Sequence, residues 1–490
     1  MSIARLIDKT IEGILKDAQF AYDYIIYTDG TNIFAFNTKT KRIEFVSNDI
    51  GQVLQYSINA LNYIGSIKLT GSIKQVISYN LATTVTIGDG TSYLALTIEG
   101  EPYKTSPNSN INPVRLYSNG IPMFKINFPA GKSSSVVLKG FDMFFSGNTN
   151  TNNIGVQTTG YATLGMEDIG ILNAYEGVVI PNGGVNCVFK DVQFLGCGTG
   201  FVTPNINQYT NLFTFQRCIF QSCNTGLLLQ DANQFHFIDC VFEACQYGLD
   251  LRAFQTLIID NGWFEGNSQA DIRLADYTGA SSNYNVNLLI IRDSLADGTA
   301  PYFIRMDWTY GRLFHLILEN CYINKSSTQY ITYASNTAAW GNAADMIFGG
   351  VFKGLRTGGG QIHGFAVSPT FGYFPLIIED CDLYPSQILA GYANQLPPYI
   401  MINRNLGAKT YSSNLRNRGV ATFSGNGTQT QFTIPHGLAA TPNVAIVTPA
   451  SANASGAFYI TVDATNIYVN YTTAPPAGTN NVVLNWYAEI

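Results

Sequence analysis

The chain has 490 residues, of which only 12% are charged, and its 27 Lys and Arg against 33 Asp and Glu leave a net charge of −6. That is about half the charged fraction typical of soluble proteins, and it carries no basic block, so nucleic acid is excluded as a partner. No run of 18 apolar residues occurs, which excludes a helical membrane span, and Asp8 and Glu12 keep residues 1–15 from reading as a signal peptide.

In chain order, Ile3, Leu6, Ile7, Ile11, Ile14 and Leu15 predict an amphipathic helix of about four turns. A hairpin with Asp29-Gly30 at its turn follows. A short helix this apolar on one face needs a partner, either further copies of itself or a larger assembly. Residues 1–48 therefore read as an anchoring or trimerisation segment. Residues 49–130 lead into the next region, beginning with a short helix that puts Ile50, Val53, Leu54, Ile58 and Leu61 on one face.

Residues 131–400 hold an internal repeat. Segments 186–200 (NCVFKDVQFLGCGTG), 212–226 (LFTFQRCIFQSCNTG), 234–248 (QFHFIDCVFEACQYG) and 256–270 (TLIIDNGWFEGNSQA) align. Phe194, Phe220, Phe242 and Phe264 form one column, and Phe189, Phe215, Phe237 and Ile259 another. Gly200, Gly226, Gly248 and Ala270 form a third. Weaker copies follow around 288–295, 316–323 and 376–383. Self-similarity at this period means a solenoid, and short stretches of alternating apolar residues separated by polar turns mean strands. The fold class is all-β: a right-handed parallel β-helix spanning 49–419, with regular coils at 131–400.

Other columns bear on function. Cys218, Cys240, Cys321 and Cys381, and separately Cys197, Cys223 and Cys245, read as small buried thiols, with disulfide pairing between coils about 4.8 Å apart as the alternative. No CxxC occurs, so no metal site and no cofactor are expected. Asp191, Arg217, Asp239, Asn261, Asp293, Asn320 and Asp380 fall where the chain turns between strands, a place that suits Asn and Asp. Glu243 and Glu265 follow the inward Phe242 and Phe264, so they point outward on adjacent coils, about 5 Å apart. That spacing approaches a retaining glycosidase pair, and mutual repulsion would raise one pKa as acid catalysis needs. They are the candidate catalytic residues; a solvated or interface pair is the plainer alternative. Ile219, Val241, Trp263 and Tyr322 make an outward apolar stripe, read as an interface or, at Trp263, a sugar-stacking platform. Tyr247, Asp250 and Arg252 join Trp263 as candidate binding residues, with Asp250 also a partner for Asp271.

Residues 420–490 lack Cys and carry sequons at Asn426, Asn453 and Asn470, a fourth lying at Asn324. Alternating strands at 458–462 and 466–471 predict a compact β-sandwich.

Asp49, Ile58, Ala60, Gly65, Ile98 and Gly100 occupy positions that resemble the opening pattern of the pectate-lyase-like superfamily, a helix, a strand pair and a closing LTIEG. Its usual P-x-G-x-Y is degraded to Leu69-Thr70-Gly71-Ser72-Ile73. The whole layout resembles viral tailspikes and receptor-binding fibres. The stretches YTDGTNIFAFNTKTKRIEF, SGNGTQTQFTIP and VVLNWYAEI are similar to segments in surface proteins of viruses of acidophilic archaea. The resemblance implies a homotrimer on the virion surface, joined to tail or capsid proteins through its N-terminus, that contacts host surface glycan or protein. An adhesin without chemistry is the expected function. A surface-polysaccharide depolymerase, most simply a glycoside hydrolase, and a cellular surface adhesin are the alternatives. The lyases of the superfamily use Ca²⁺ held by clustered Asp with an Arg or Lys base; Arg252 beside Asp250 is the single candidate base, and the Asp cluster is not found.

Overall fold

The computed structural model describes residues 21–489 apart from 71–76, 101–113, 132–133, 206–209, 281–283, 299, 310, 327, 335–346, 358–360, 363–375, 383–399, 404–415 and 439. The predicted N-terminal helix lies outside the described residues.

The repeat folds as a right-handed parallel β-helix whose coils have three walls. In one coil, residues 234–238 lie in the first wall, Val241–Glu243 in the second and residues 247–251 in the third; the next coil starts at 256. The bend between the first two walls needs a left-handed backbone. Asp191, Arg217, Asp239, Asn261, Asp293, Asn320 and Asp380 all have φ between 50° and 55° there. Asn and Asp tolerate that conformation through local hydrogen bonding, so the turn reading of this column holds. A second left-handed ladder, Ser222, Ala244 and Gly266, turns the second wall into the third.

Inward columns build the core. Phe189, Phe215 and Phe237 stack with centroids 4.7 and 4.9 Å apart, and Phe194, Phe220, Phe242 and Phe264 at 4.8, 5.1 and 5.0 Å. These distances are the strand spacing itself. All eight cysteines are buried free thiols. The Cys218 Sγ–H donates to the Phe189 carbonyl at 3.3 Å, and burial pushes the Cys187 thiol up to about 12, which keeps it protonated and inert.

The glycine column needs one correction. Tyr247 pairs with Ala270, so Gly177, Gly200, Gly226 and Gly248 continue into Asp271, not Ala270. The coil has gained a residue. A Cβ on Gly200 would lie 2.5 Å from the Gly226 carbonyl oxygen of the next coil, so adjacent coils leave no room there for a side chain. Where the column reaches Asp271 the carboxylate enters the lumen. It accepts from Lys325 Nζ at 2.9 Å and from Asn267 Nδ2 at 2.8 Å, and both charged side chains are at most 1% exposed. Burial pushes the Asp271 carboxyl up, against the pull of Lys325. Two buried charges persist because each satisfies the other.

The outer face of the first wall carries a ladder with no trace in the repeat alignment. Lys68, Glu99, Lys139, Glu167 and Lys190 lie in register on successive strands. After Gln216 and Ile238 the alternation resumes with Asp260, Arg292, Glu319, Lys353 and Glu379. Beside it runs a half-buried aliphatic column of Ile258, Ile290, Ile317, Val351 and Ile377.

At the start of the stack, the helix Ile50–Ala60 is capped by Asp49, whose Oδ1 accepts from the Gly51 and Ala82 backbone N–H groups at 2.9 and 3.0 Å. It buries Ile50, Val53, Leu54 and Ile58. The predicted hairpin gains a third strand, and its first, Tyr24–Thr28, pairs parallel with Ile64–Leu69, shielding the first coil's edge. The C-terminal region is a β-sandwich of two three-stranded antiparallel sheets sharing a core that includes Phe432, Ile467, Val469 and Leu484. His436 is buried there. Its Nδ1 accepts from the Leu438 N–H, so the proton sits on Nε2, which donates to the Asp463 carbonyl at 3.0 Å. That histidine is structural.

Candidate glycan-binding groove

The bend between the first and second walls is not only a turn. It forms the floor of a groove of about 440 Å³ on the outside of the helix, edged by Asp239, Asn261, Asp293 and Asn320, with Trp263 and Tyr322 on its wall side. Its edge is preorganised. Asn261 Nδ2 donates to Asp239 Oδ1 at 2.7 Å and Asn320 Nδ2 to Asp293 Oδ1 at 3.2 Å, so each amide is spent on the coil below it. One coil earlier the same position holds Arg217, whose fork grips Asp191 through two contacts of 2.7 Å.

The aromatic side follows from strand alternation. Within the three-residue strands of the second wall the central residue points inward and the outer two point out. Val241, Trp263, Leu295 and Tyr322 therefore share one outward column. Trp263 is 46% exposed and Tyr322 43%, high values for large rings that no packing requires to be outside. They stand two coils apart, about 10 Å, which matches roughly two sugar rings along a chain.

The other outward column of this wall carries Glu243, Glu265, Asp297 and Asn324. Glu243 and Glu265 do stack on adjacent coils, but on the far flank of the Trp263 stripe, outside the groove. Gln221 Nε2 donates to Glu243 at 3.1 Å, the Trp263 indole N–H to Glu265 at 2.9 Å, and Asn324 Nδ2 to Asp297 at 2.9 Å. The bond to Glu265 fixes the indole plane.

The remaining sequence candidates lie on the third wall. Asp250 Oδ2 receives Arg252 at 2.7 Å and Arg273 at 3.3 Å; Arg273 and Arg305 both reach Asp307, at 2.9 and 2.8 Å. Tyr247 lies 5.0 Å under the Arg273 guanidinium. Burial pushes the Asp250 carboxyl up, opposed by Arg252 and Arg273. Arg252 also donates to the Asp276 carbonyl at 2.9 Å, and the cluster does not meet the groove. The proposed partnership of Asp250 with Asp271 is corrected: Asp250 faces Arg252 and Arg273 on the third wall, whereas Asp271 is sealed in the lumen with Lys325.

Sequence reasoning named Trp263 and Tyr322 for the stripe and read the Asp/Asn column as turn chemistry alone. It missed that the two are neighbours, and it missed Leu295 and Asp297. The signal was present in the strand periodicity, because a turn residue two positions before an outward residue must edge its column. Among the described residues no cluster of His, Cys, Asp or Glu is arranged to hold a metal ion.

No protein-family model and no curated protein matches the chain. Solved structures with a similar fold include the tailspike of Acinetobacter phage vB_ApiP_P1, 15% identical, covering 90% of this chain and 84% of that one with a TM-score of 0.46. The A-module of the mannuronan C-5 epimerase AlgE4 of Azotobacter vinelandii is 12% identical over 68% and 91% of the two chains, with a TM-score of 0.42. The tailspike gp49 of Acinetobacter baumannii bacteriophage Fri1, a capsular polysaccharide depolymerase, is 11% identical over 89% and 82%, with a TM-score of 0.43. These likenesses concern the coil architecture and decide nothing about chemistry.

Proposed function

We propose that the chain is a virion surface spike that holds host surface glycan in the groove beside Trp263. The observation that carries this reading is the pair of exposed rings, Trp263 and Tyr322, set two coils apart along a groove edged by fixed amide and carboxylate groups. Sugar rings present an apolar face to aromatic side chains and hydroxyl edges to planar acceptors, which is the combination found here. The virion setting rests on the local sequence resemblance of the N-terminal and C-terminal segments. Assembly as a homotrimer belongs to the same proposal, and the aliphatic column Ile258 to Ile377 is the face we assign to packing between copies, which leaves the Trp263 stripe open. The test is capture of host cells or extracted surface glycan by purified protein. Trp263→Ala and Tyr322→Ala should each weaken capture about tenfold or more with the melting temperature unchanged. Equal capture by both variants would sink the proposal.

The depolymerase reading keeps one specific support, the stacking of Glu243 and Glu265 beside Trp263. In that chemistry one carboxylic acid protonates the departing glycosidic oxygen while the other carboxylate bonds to the anomeric carbon, and water then releases the sugar. New reducing ends in treated glycan, lost in Glu243→Gln or Glu265→Gln, would establish it.

A further inference from the structure

The second wall carries a charge pattern that sets it apart from the rest of the helix. Five carboxylates flank the Trp263 stripe: Asp239 and Asp293 on the groove side, Glu243, Glu265 and Asp297 on the other. Their hydrogen-bond donors are neutral in every case, being Asn261, Asn320, Gln221, the Trp263 indole and Asn324 respectively. Among the described residues none of the five belongs to an ion pair, whereas Glu99, Glu167, Asp191, Asp250, Asp260, Asp271 and Asp307 all do. The cations in adjoining positions form their ion pairs elsewhere, Arg217 with Asp191 and Arg292 with Asp260, although their charges also reach Asp239 and Asp293 respectively. Arg356 stands in register above Tyr322 and marks the upper end of the stripe.

Such a surface has a sign. Stacking Glu243, Glu265 and Asp297 at the strand spacing costs repulsion that an intervening Lys or Arg would remove, as it does on the first wall. A groove flanked by more carboxylates than cations raises the local concentration of cations and lowers that of anions.

We infer that the groove takes glycan whose sugars are uncharged or carry a free amine, and turns away chains bearing carboxylate, sulfate or phosphate groups. This rests on the glycan-binding reading above and names its substrate class. The rings supply affinity that is blind to charge, and the carboxylates supply the discrimination. Neutral sugars lose nothing, because their hydroxyls donate to the rim carboxylates. Amine-bearing sugars gain at low salt, and anionic sugars meet repulsion from both flanks.

The test uses the full-length chain on an arrayed panel of neutral, amine-bearing and anionic glycans at low and high salt. Alongside wild type run Trp263→Ala, the triple variant Glu243→Gln, Glu265→Gln, Asp297→Asn, and the single variant Asp293→Asn. The expected result is Trp263-dependent binding confined to neutral and amine-bearing glycans. Anionic chains of matched backbone should bind about tenfold or more weakly, a gap that narrows in salt, narrows in Asp293→Asn and closes furthest in the triple variant. Anionic glycans among the strongest Trp263-dependent ligands overturn the inference and leave the glycan reading standing. An unchanged charge preference in the folded triple variant does the same. No Trp263-dependent signal on any glycan overturns the glycan reading itself, and the inference with it.

Discussion

The first and second walls are built from the same coils, yet they treat charge in opposite ways. On the first wall Lys68, Glu99, Lys139, Glu167 and Lys190 alternate, so each carboxylate has a cation above or below it; Glu99 is held by Lys139 at 3.1 Å and Lys68 at 3.4 Å. On the second wall Glu243, Glu265 and Asp297 repeat one sign. Alternation serves the fold: a coil slipped by one rung would set like charges together, so the ladder resists misregister. Repetition of one sign without a shared counter-ion does nothing for the fold, and here it falls on the wall that exposes Trp263 and Tyr322; the like-charged neighbours Arg273 and Arg305 on the third wall share Asp307. A charge the scaffold does not use is available to a ligand.

The extreme of a charge used by the fold lies in the lumen. Lys325→Met leaves Asp271 uncompensated and should cost about 3–5 kcal/mol, read as a lowered denaturant midpoint. Adding Asp271→Asn should recover much of the loss; a single variant as stable as wild type would show that water reaches the pair. Next in size, Glu99→Lys stacks three lysines and should destabilise by about 1–3 kcal/mol. Glu265→Gln, on the other wall, should stay within about 0.5 kcal/mol or gain slightly. If Glu265→Gln cost as much as Glu99→Lys, the contrast between the walls would be broken.

Acid sharpens the same contrast. Burial opposes ionisation of Glu99, but hydrogen bonds from Tyr22 and Lys139 and the charges of Lys68 and Lys139 outweigh it and hold the carboxyl below its usual value. Burial likewise opposes ionisation of Asp260, and His236 and Arg292 overcome it. Both folded values are depressed, so their contribution is complete above the unfolded value of about 4 and is lost as the pH falls through the folded ones. Melting temperatures of wild type and of the Glu99→Gln, Asp260→Asn double variant should differ at pH 6 and converge as the pH falls through the depressed folded values. Buried Asp271 works the other way: its raised value favours the protonated form, so its share is largest in acid and declines as the pH rises through that value. The smallest effect expected is that of Arg292→Gln. It removes a part-exposed partner of Asp260 and should cost below about 1 kcal/mol, less still in high salt.

Much of the scaffold was legible before any coordinates. The Phe columns and the left-handed Asp/Asn column repeat at near-constant spacing from Phe189 to Phe264, and constant spacing is what a coil of constant length prints on a sequence. The helix capped by Asp49 was equally plain, because its apolar face and its cap are local. Half of the site was legible too: Trp263 and Tyr322 were outward by alternation alone.

By itself, then, the sequence settled the repeating coil, its inward ladders and its turn residues, since all of these depend on neighbours within one repeat. Tertiary structure decided everything that crosses coils of unequal length. Lys68, Glu99 and Lys139 become one ladder, Asp297 joins Glu243 and Glu265, the glycine column gives way to Asp271, and Lys325 reaches a carboxylate 54 residues away. Inserted residues shift sequence spacing without shifting strand register, because parallel pairing is fixed by the packing of each wall and the loops absorb the difference. The groove beside Trp263 is the product of that freedom. Its rings and its rim are spread over four successive coils, and only stacking brings them to one place.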